Sequence, residues 1–223
     1  MESMKSIKNL RIAVDGESGS GKSYGSKIIA KKYKCFVLNS GLAYRYASYL
    51  IIKHKPKKKI IFLKKKFKKL NYKKITKIKL HSENISLHVA NLATIKNVRN
   101  IIKSWQRKII LRNPRIVVEG RDSANVILKK NPKFDIAFYF DCSLKKSAYR
   151  RYIDIKKEVP LKKVLQNLRK RRIKDRNRKH SALKKHKKAV LIRSDLLSKQ
   201  KMILKMSKEI DKFIGKNIIN GNI

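Results

Sequence analysis

Gly16-Glu17-Ser18-Gly19-Ser20-Gly21-Lys22-Ser23 fits the pattern G-x-x-x-x-G-K-[ST], and its flanks decide what the match is worth. Upstream, residues 10–15 (Leu-Arg-Ile-Ala-Val-Asp) form a short apolar run of the kind a buried parallel strand needs. Downstream, the stretch from Tyr24 to Tyr33 sets Ile28, Ile29 and Ala30 among lysines, which predicts a helix. Strand, glycine-rich turn and helix is the context in which this pattern cradles phosphate. The glycines let successive N–H groups converge on anionic oxygens at a helix N-terminus. Lys22 is then placed to reach β- and γ-phosphates from a solvated loop, and the Ser23 hydroxyl to join a Mg²⁺ shell. Residues 16–23 are the expected cofactor-binding loop, and a nucleoside triphosphate is its expected ligand.

Outward from that loop, short apolar runs recur at 36–38, 116–118, 136–140 and 189–192. With residues 10–15 they make five strands alternating with amphipathic stretches at 22–33, 41–53, 83–94, 97–112, 143–156, 160–174 and 195–214. That alternation predicts an α/β fold with a five-stranded parallel sheet flanked by helices. Ser82, Ser143 and Pro160 mark helix starts, and Asn113-Pro114 closes a helix before the third strand. Residues 54–80 break the rhythm, with lysine clusters at 57–59, 64–66 and 68–69 interleaved with Ile60, Ile61, Phe62, Phe67 and Leu70. The pattern predicts one basic amphipathic helix followed by a short strand at 75–80, a small lobe inserted into the core.

Composition narrows the setting. There are 61 Lys and Arg against 14 Asp and Glu, a net charge of +47. Such a balance brings nucleic acid, acidic membranes and phosphorylated small molecules into view. The lysines are spread along the chain rather than gathered in a tail, so a solvated lysine surface accounts for most of the charge. Nucleic acid is not required as a partner, though the charge permits non-specific binding. Cys35 and Cys142 sit in or beside strand-like runs at a spacing that fits neither a disulfide framework nor a metal site, and read as reduced, mostly buried thiols. The opening Met1-Glu2-Ser3-Met4-Lys5-Ser6 carries no signal-peptide pattern, and the sequence holds no apolar run near 18 residues. A cytoplasmic, monomeric protein without membrane attachment is expected.

Three further segments resemble one family. Asn39-Ser40-Gly41-Leu42-Ala43-Tyr44-Arg45 resembles the D-[ST]-G-x-x-Y-R segment of bacterial cytidylate kinases. Glu119-Gly120-Arg121-Asp122 is similar to their G-R-D motif, and Arg171-x-x-x-Asp175-Arg176-Asn177-Arg178 to the R-x-x-x-D-x-x-R run of their lid. The segments follow the family's order over about residues 10–200, and the helix from Val98-Arg99 to Gln106-Arg107 is also similar. The resemblance implies a single P-loop kinase domain spanning 1–223: a core at about 8–53, 81–158 and 186–215, a nucleoside-monophosphate-binding lobe at about 54–80, and a helical lid at about 159–185. It implies Mg²⁺-dependent phosphoryl transfer from ATP to CMP or dCMP. Lys22, Arg121 and Arg178 are then the expected catalytic residues. Ser40, Arg45, Arg121 and Arg178 would hold the acceptor's α-phosphate, Arg171 and Asp175 would face its sugar, and Asp122 would take the cytosine amino group. Tyr44 and His81 complete the expected substrate-binding set.

Elementary chemistry agrees with this placement. Phosphoryl transfer asks for positioning and charge neutralisation, and arginine forks suit a dianionic phosphate. Arg45 and Arg121 fall just past strand ends, where ligands of open α/β sheets collect. The chain also departs from the family. His81-Ser82 stands where a base-touching arginine and a hydroxyl residue are usual, Asn39 replaces an aspartate, and Ser123-Ala124-Asn125 replaces a glycine-threonine pair. Phosphate-handling positions match while base-reading positions depart. A related kinase of UMP or another monophosphate is the alternative within enzymes, and a degenerate kinase fold that binds nucleic acid is the alternative outside them.

Overall fold

The computed structural model describes residues 8–219. The opening residues 1–7, on which the signal-peptide reading rests, lie outside that range. β1 (Leu10–Gly16), β2 (Phe36–Asn39), β3 (Arg115–Gly120), β4 (Ile136–Asp141) and β5 (Val190–Arg193) form one sheet in the order β2-β3-β1-β4-β5. Every pairing is parallel, with Ile12 opposite Val117 and Ile136, and Leu38 opposite Val118. The centre of this sheet is apolar on both faces because both are covered. Ile12 and Val14 enter one cluster with Phe138, Phe140 and Ile192, while Ala13 enters the other with Leu38, Val118 and Ala137. Period-two alternation thus divides one continuous apolar strand between two cores. Each fully buried Val, Leu or Ile side chain contributes about 1.5–3 kcal/mol.

On the Ile12 face lie α1 (Lys22–Lys32) and α9 (Lys199–Ile219). Met202, Met206, Ile210 and Ile214 of α9 recur at helical spacing and pack there beside Ile29 and Ala30 of α1. The Tyr33 hydroxyl donates to Asp211 Oδ1 at 2.7 Å, so the turn after α1 is pinned to α9. The other face is covered by α2 (Ser40–His54), α3 (Lys59–Lys68) and α6 (Lys96–Arg112). α5 (Glu83–Leu92) packs on α2, and α7 (Leu144–Asp154) pairs with α8 (Leu161–Asn177) through Ala148, Val164 and Leu168. Asn39 starts α2 one residue earlier than expected because its Oδ1 accepts the Leu42 N–H at 3.2 Å.

The inserted lobe differs from its sequence reading. Residues 75–80 contain no strand; the lobe is α3 followed by a short helix, α4 (Tyr72–Thr76). Asn71 Oδ1 caps α4 by accepting the Lys73 N–H at 2.8 Å, and a helical turn satisfies the backbone without a sheet edge. Side-chain contacts fasten the lobe to the core. Phe67 meets Trp105 edge-on at 5.6 Å, the Trp105 indole donates to Leu70 O at 2.9 Å, and the Tyr72 hydroxyl accepts the Asn39 N–H at 2.9 Å.

A π-helical turn at Ser123–Ile127 follows β3, where no element was expected. Asp15, 2% exposed at the end of β1, accepts the Ser123 and Ala124 N–H groups at 2.7 and 2.9 Å. These bonds anchor the chain just past Arg121 and Asp122, beyond the carboxyl ends of β1 and β3, where open α/β sheets place ligands. Burial raises the Asp15 carboxyl to about 6 against the lowering effect of those two N–H donors.

Candidate active site

The glycine-rich loop joins β1 to α1 in a backbone path that only glycine takes without strain. Gly19 has φ 74°, and a Cβ there would stand 2.6 Å from Ser147 O. Gly21, at φ 80°, caps α1. Inside the turn, Ser20 Oγ and Lys22 Nζ both donate to Glu17 O, at 2.9 and 3.0 Å. Lys22 is not solvated as the sequence suggested: it is 8% exposed, held under its own loop. Burial, assisted by the neighbouring Arg121, lowers its pKa to about 7.

Glu119, at the end of β3, is a hub that sequence reasoning did not single out. It is 4% exposed, accepts Ser23 Oγ at 2.6 Å and Asn39 Nδ2 at 3.1 Å, and lies 3.8 Å from Lys22 Nζ. Its signal was present: an acid one residue before a strand-end glycine, next to Arg121. A hydroxyl and a carboxylate side by side are hard oxygen donors that fit Mg²⁺, which takes one or two protein ligands and completes its shell with phosphate and water. Among the described residues no cluster of three or more His, Cys, Asp or Glu side chains could hold a metal ion; Ser23 Oγ and Glu119 Oε1, 2.6 Å apart, are a donor pair whose chemistry fits one.

Beside the loop opens a cleft of about 330 Å³. It brings together Lys22, Ser23 and all nine substrate-side residues singled out from the sequence: Ser40, Tyr44, Arg45, His81, Arg121, Asp122, Arg171, Asp175 and Arg178. Three elements, α1, α2 and α8, supply them, together with the segments before α5, after β3 and after α8. Arg121 spans the cleft, donating from Nη1 to Gly16 O at 2.6 Å and from Nε to Asp175 Oδ2 at 2.8 Å. Arg171 and Arg178 approach the same carboxylate at 3.8 and 3.6 Å. Arg45 is steadied by Leu80 O at 2.9 Å and Ser86 Oγ at 3.0 Å. Ser40 and Arg178 line this cleft, and Ser40 Oγ and Arg178 Nη2 are buried without a hydrogen-bond partner.

At the far end Arg99, from α6, pairs with the Asp122 carboxylate, each residue under 10% exposed, and its guanidinium lies 5.7 Å from the Tyr44 ring. The sequence put His81 where the family resemblance expects an arginine; the structure brings Arg99 into the same cleft, from a helix that had been noted without a role. His81 also lines the cleft. Partial burial, with Arg45 and Arg151 nearby, pushes its imidazole below the ordinary histidine value, so it is neutral at pH 7 and offers a single N–H. Of the 14 acidic residues in this basic chain, Glu119, Asp122, Asp154 and Asp175 line the cleft, and Asp15 and Glu17 lie buried at the start of the phosphate loop. Four of them hold a lysine or arginine side chain in place. Arg172 and Arg176 of α8, on Glu17, were likewise not foreseen as partners of the loop.

A phosphate loop at the end of a central parallel strand, facing an arginine-lined cleft, defines a P-loop kinase. The chain belongs to the cytidylate kinase family, whose model it matches over residues 12–212. It is an enzyme of the nucleoside monophosphate kinase class. It is 30% identical to the cytidylate kinase of Fusobacterium nucleatum, over 92% of this chain and 98% of that one. It is 29% identical to the cytidylate kinase of Phytoplasma mali, over 83% of this chain and 87% of that one. Among solved structures, an uncharacterized protein from Eubacterium ventriosum shares the fold with a TM-score of 0.53 and 16% identity, covering 94% of this chain and 99% of that one. No helix among the described residues is long and apolar enough to cross a membrane.

Proposed function

We propose that the protein transfers the γ-phosphoryl group of ATP to CMP or dCMP, giving ADP and CDP or dCDP, with Mg²⁺. The observation that carries this reading is the pair of orphaned buried donors, Ser40 Oγ and Arg178 Nη2, in a cleft that also holds Arg45 and Arg121. Buried polar groups are nearly always paired, and the oxygens of an acceptor phosphate would pair these two. The family membership supports the choice of acceptor.

In this mechanism residues 16–23 cradle the ATP phosphates, and Lys22 leaves Glu17 O for the β- and γ-oxygens. Bound Mg²⁺ would neutralise charge on those phosphates, with Ser23 and Glu119 as its protein donors. Ser40, Arg45, Arg121 and Arg178 hold the acceptor's α-phosphate in line. Arg121, already bonded to Gly16 O, stands between donor and acceptor, where charge develops in transfer. Arg171 and Asp175 face the sugar. Asp122 accepts from the cytosine amino group, with Arg99, Tyr44 and His81 around the base. Residues 159–185 act as a lid that shuts out water, and residues 54–80 as the acceptor lobe. The free thiols of Cys35 and Cys142 suit a reducing cytoplasm, and the site is complete within one chain, which suits a monomer.

The test is product analysis with ATP and each nucleoside monophosphate in turn, with and without Mg²⁺. CDP and dCDP formed only with Mg²⁺ are the expected products; turnover of UMP or a purine monophosphate in preference to both overturns the acceptor assignment.

A further inference from the structure

Glu17 carries the one charge on the phosphate loop that phosphate binding does not call for. Backbone N–H groups attract an anion, whereas a carboxylate beside them repels it. Its carboxylate is nonetheless buried, at 1% exposure, and it collects two arginines from α8. Arg172 pairs through Nε with Oε2, and Arg176 donates from Nε to Oε1 at 3.0 Å with Nη2 at 2.8 Å. Arg172 also donates to Cys142 O at 2.6 Å and to Ser147 Oγ at 3.2 Å.

The helix needs such a tie. Its buried side chains, Val164 and Leu168, are confined to its first half, where they pack against α7. From residue 169 onward α8 buries no apolar side chain, so charge pairs rather than apolar packing hold this half. Helical spacing puts Arg172 and Arg176 on one face, and Arg171, Asp175 and Arg178 turn toward the cleft beside it. Whatever fixes the first pair fixes the second group.

We propose that Glu17 is a positioning residue: its carboxylate docks the second half of α8 onto the phosphate loop through Arg172 and Arg176, holding Arg171, Asp175 and Arg178 over the acceptor side before any nucleotide binds. Its consequence for turnover rests on the kinase reading above; the docking itself does not. One loop residue then serves both substrates. Its carbonyl orients Lys22 on the donor side, and its carboxylate orients α8 on the acceptor side.

Glu17→Gln keeps the shape and removes the charge. Hydrogen exchange of the ligand-free protein reads residues 169–177 directly, with α9 as the internal reference. Exchange there is expected to rise about tenfold or more in Glu17→Gln and in Arg172→Gln/Arg176→Gln, and no further in the triple variant, because one interaction has been removed from either side. In the assay, acceptor KM rises about tenfold while ATP binds as tightly or tighter, since a negative charge has left the phosphate loop. A merely destabilised protein would lose both substrates together. Unchanged exchange in α8, additive effects in the triple variant, or parallel weakening of both substrates overturns the proposal. If Glu17→Gln does not fold, Arg176→Gln, at a side chain 54% exposed, makes the same comparison against wild type. A protein that phosphorylates no nucleotide would remove the kinase reading and leave the exchange test decisive for the docking.

Discussion

Arg121 and Asp175 are joined across the mouth of the cleft, guanidinium Nε to carboxylate Oδ2 at 2.8 Å, linking the end of β3 to α8. Arg171 and Arg178 crowd the same carboxylate at 3.8 and 3.6 Å, so one negative charge organises three positive ones. Burial alone would raise the Asp175 pKa; Arg121 and Arg171 pull it below the usual carboxylate value instead. One carboxylate thereby gathers three guanidinium groups at a single point of the cleft.

Asp175→Asn is expected to destabilise the fold by about 3–5 kcal/mol in urea denaturation, the usual cost of breaking a buried pair from one side. Inorganic phosphate should restore part of the loss, because an anion bound to the arginine cluster favours the folded state. The pH dependence has a definite sign. A depressed folded-state pKa means the stabilisation is complete above the ordinary carboxylate value, about 4, and is lost as pH falls through the folded-state value. The wild type should therefore lose stability more steeply than the variant in that acid range. Equal acid limbs, or no response to phosphate, would break the argument.

Lys22 gives a prediction about protons. Its pKa is about 7 in the folded protein against 10.5 for a free lysine, so this group makes the fold more stable as pH rises from 7 toward 10.5. Phosphate oxygens reverse the balance by favouring the charged amine. ATP binding at pH 8 should then take up close to one proton, measured by calorimetry in buffers of different ionisation enthalpy. Lys22→Met should abolish both the uptake and phosphoryl transfer. Binding without proton uptake at pH 8 would sink the placement of Lys22 on the phosphates.

Arg45 and Arg121 should behave differently when truncated. Arg45, on α2, is fixed by Leu80 O and Ser86 Oγ, on the side of the cleft proposed for the acceptor. Arg45→Ala is expected to raise acceptor KM roughly 10–100-fold, the worth of about 1.5–3 kcal/mol of charge-assisted bonding, with ATP affinity unchanged. Arg121 touches Gly16 O of the donor loop as well as Asp175. Arg121→Ala should therefore weaken both substrates and lower kcat. Separate titrations of ATP and CMP into each variant decide the matter; identical profiles would place the two arginines in the same role.

The sequence made most of this site legible, because the loop pattern and the segments around Arg45, Arg121 and Asp175 keep chemistry-bearing residues at strand ends, where topology alone brings them together. Strand identity was equally plain, since a run such as Ile12-Ala13-Val14 needs cover on both faces. What escaped were contacts between residues far apart in the chain. Glu119 meets Ser23 and Asn39 only once β3 lies beside β1 and β2, and Glu17 meets α8 only once that helix folds back over the loop. The misread strand at 75–80 has the same origin: Ile75 and Leu80 are buried, but against α2 and its neighbours rather than in a sheet. The solvated Lys22 failed because local sequence carries no measure of how deeply a loop closes over its own side chain.

On the proposed reading, base choice would turn on Arg99 and Asp122. A carboxylate accepts from the cytosine amino group, and uracil offers a carbonyl there, so Asp122 would favour CMP while it is aimed into the cleft. Arg99 holds that aim, since its guanidinium sits on the Asp122 carboxylate in a buried pair. His81, neutral at pH 7, contributes at most one uncharged hydrogen bond, about 0.5–1.5 kcal/mol or up to tenfold. Arg99→Ala removes the partner that holds the Asp122 carboxylate in place, so the acceptor that distinguishes the cytosine amino group from the uracil carbonyl loses its fixed aim. The expected result is a CMP-over-UMP ratio in kcat/KM that falls more than tenfold in Arg99→Ala and less than tenfold in His81→Ala. His81→Arg should sharpen the ratio by adding a charged donor beside the base. Measuring kcat/KM for CMP and UMP in the four proteins tests the ordering. If His81→Ala relaxed the ratio more than Arg99→Ala did, the base would be read from the α5 side of the cleft, and the pairing of Arg99 with Asp122 would be structural alone.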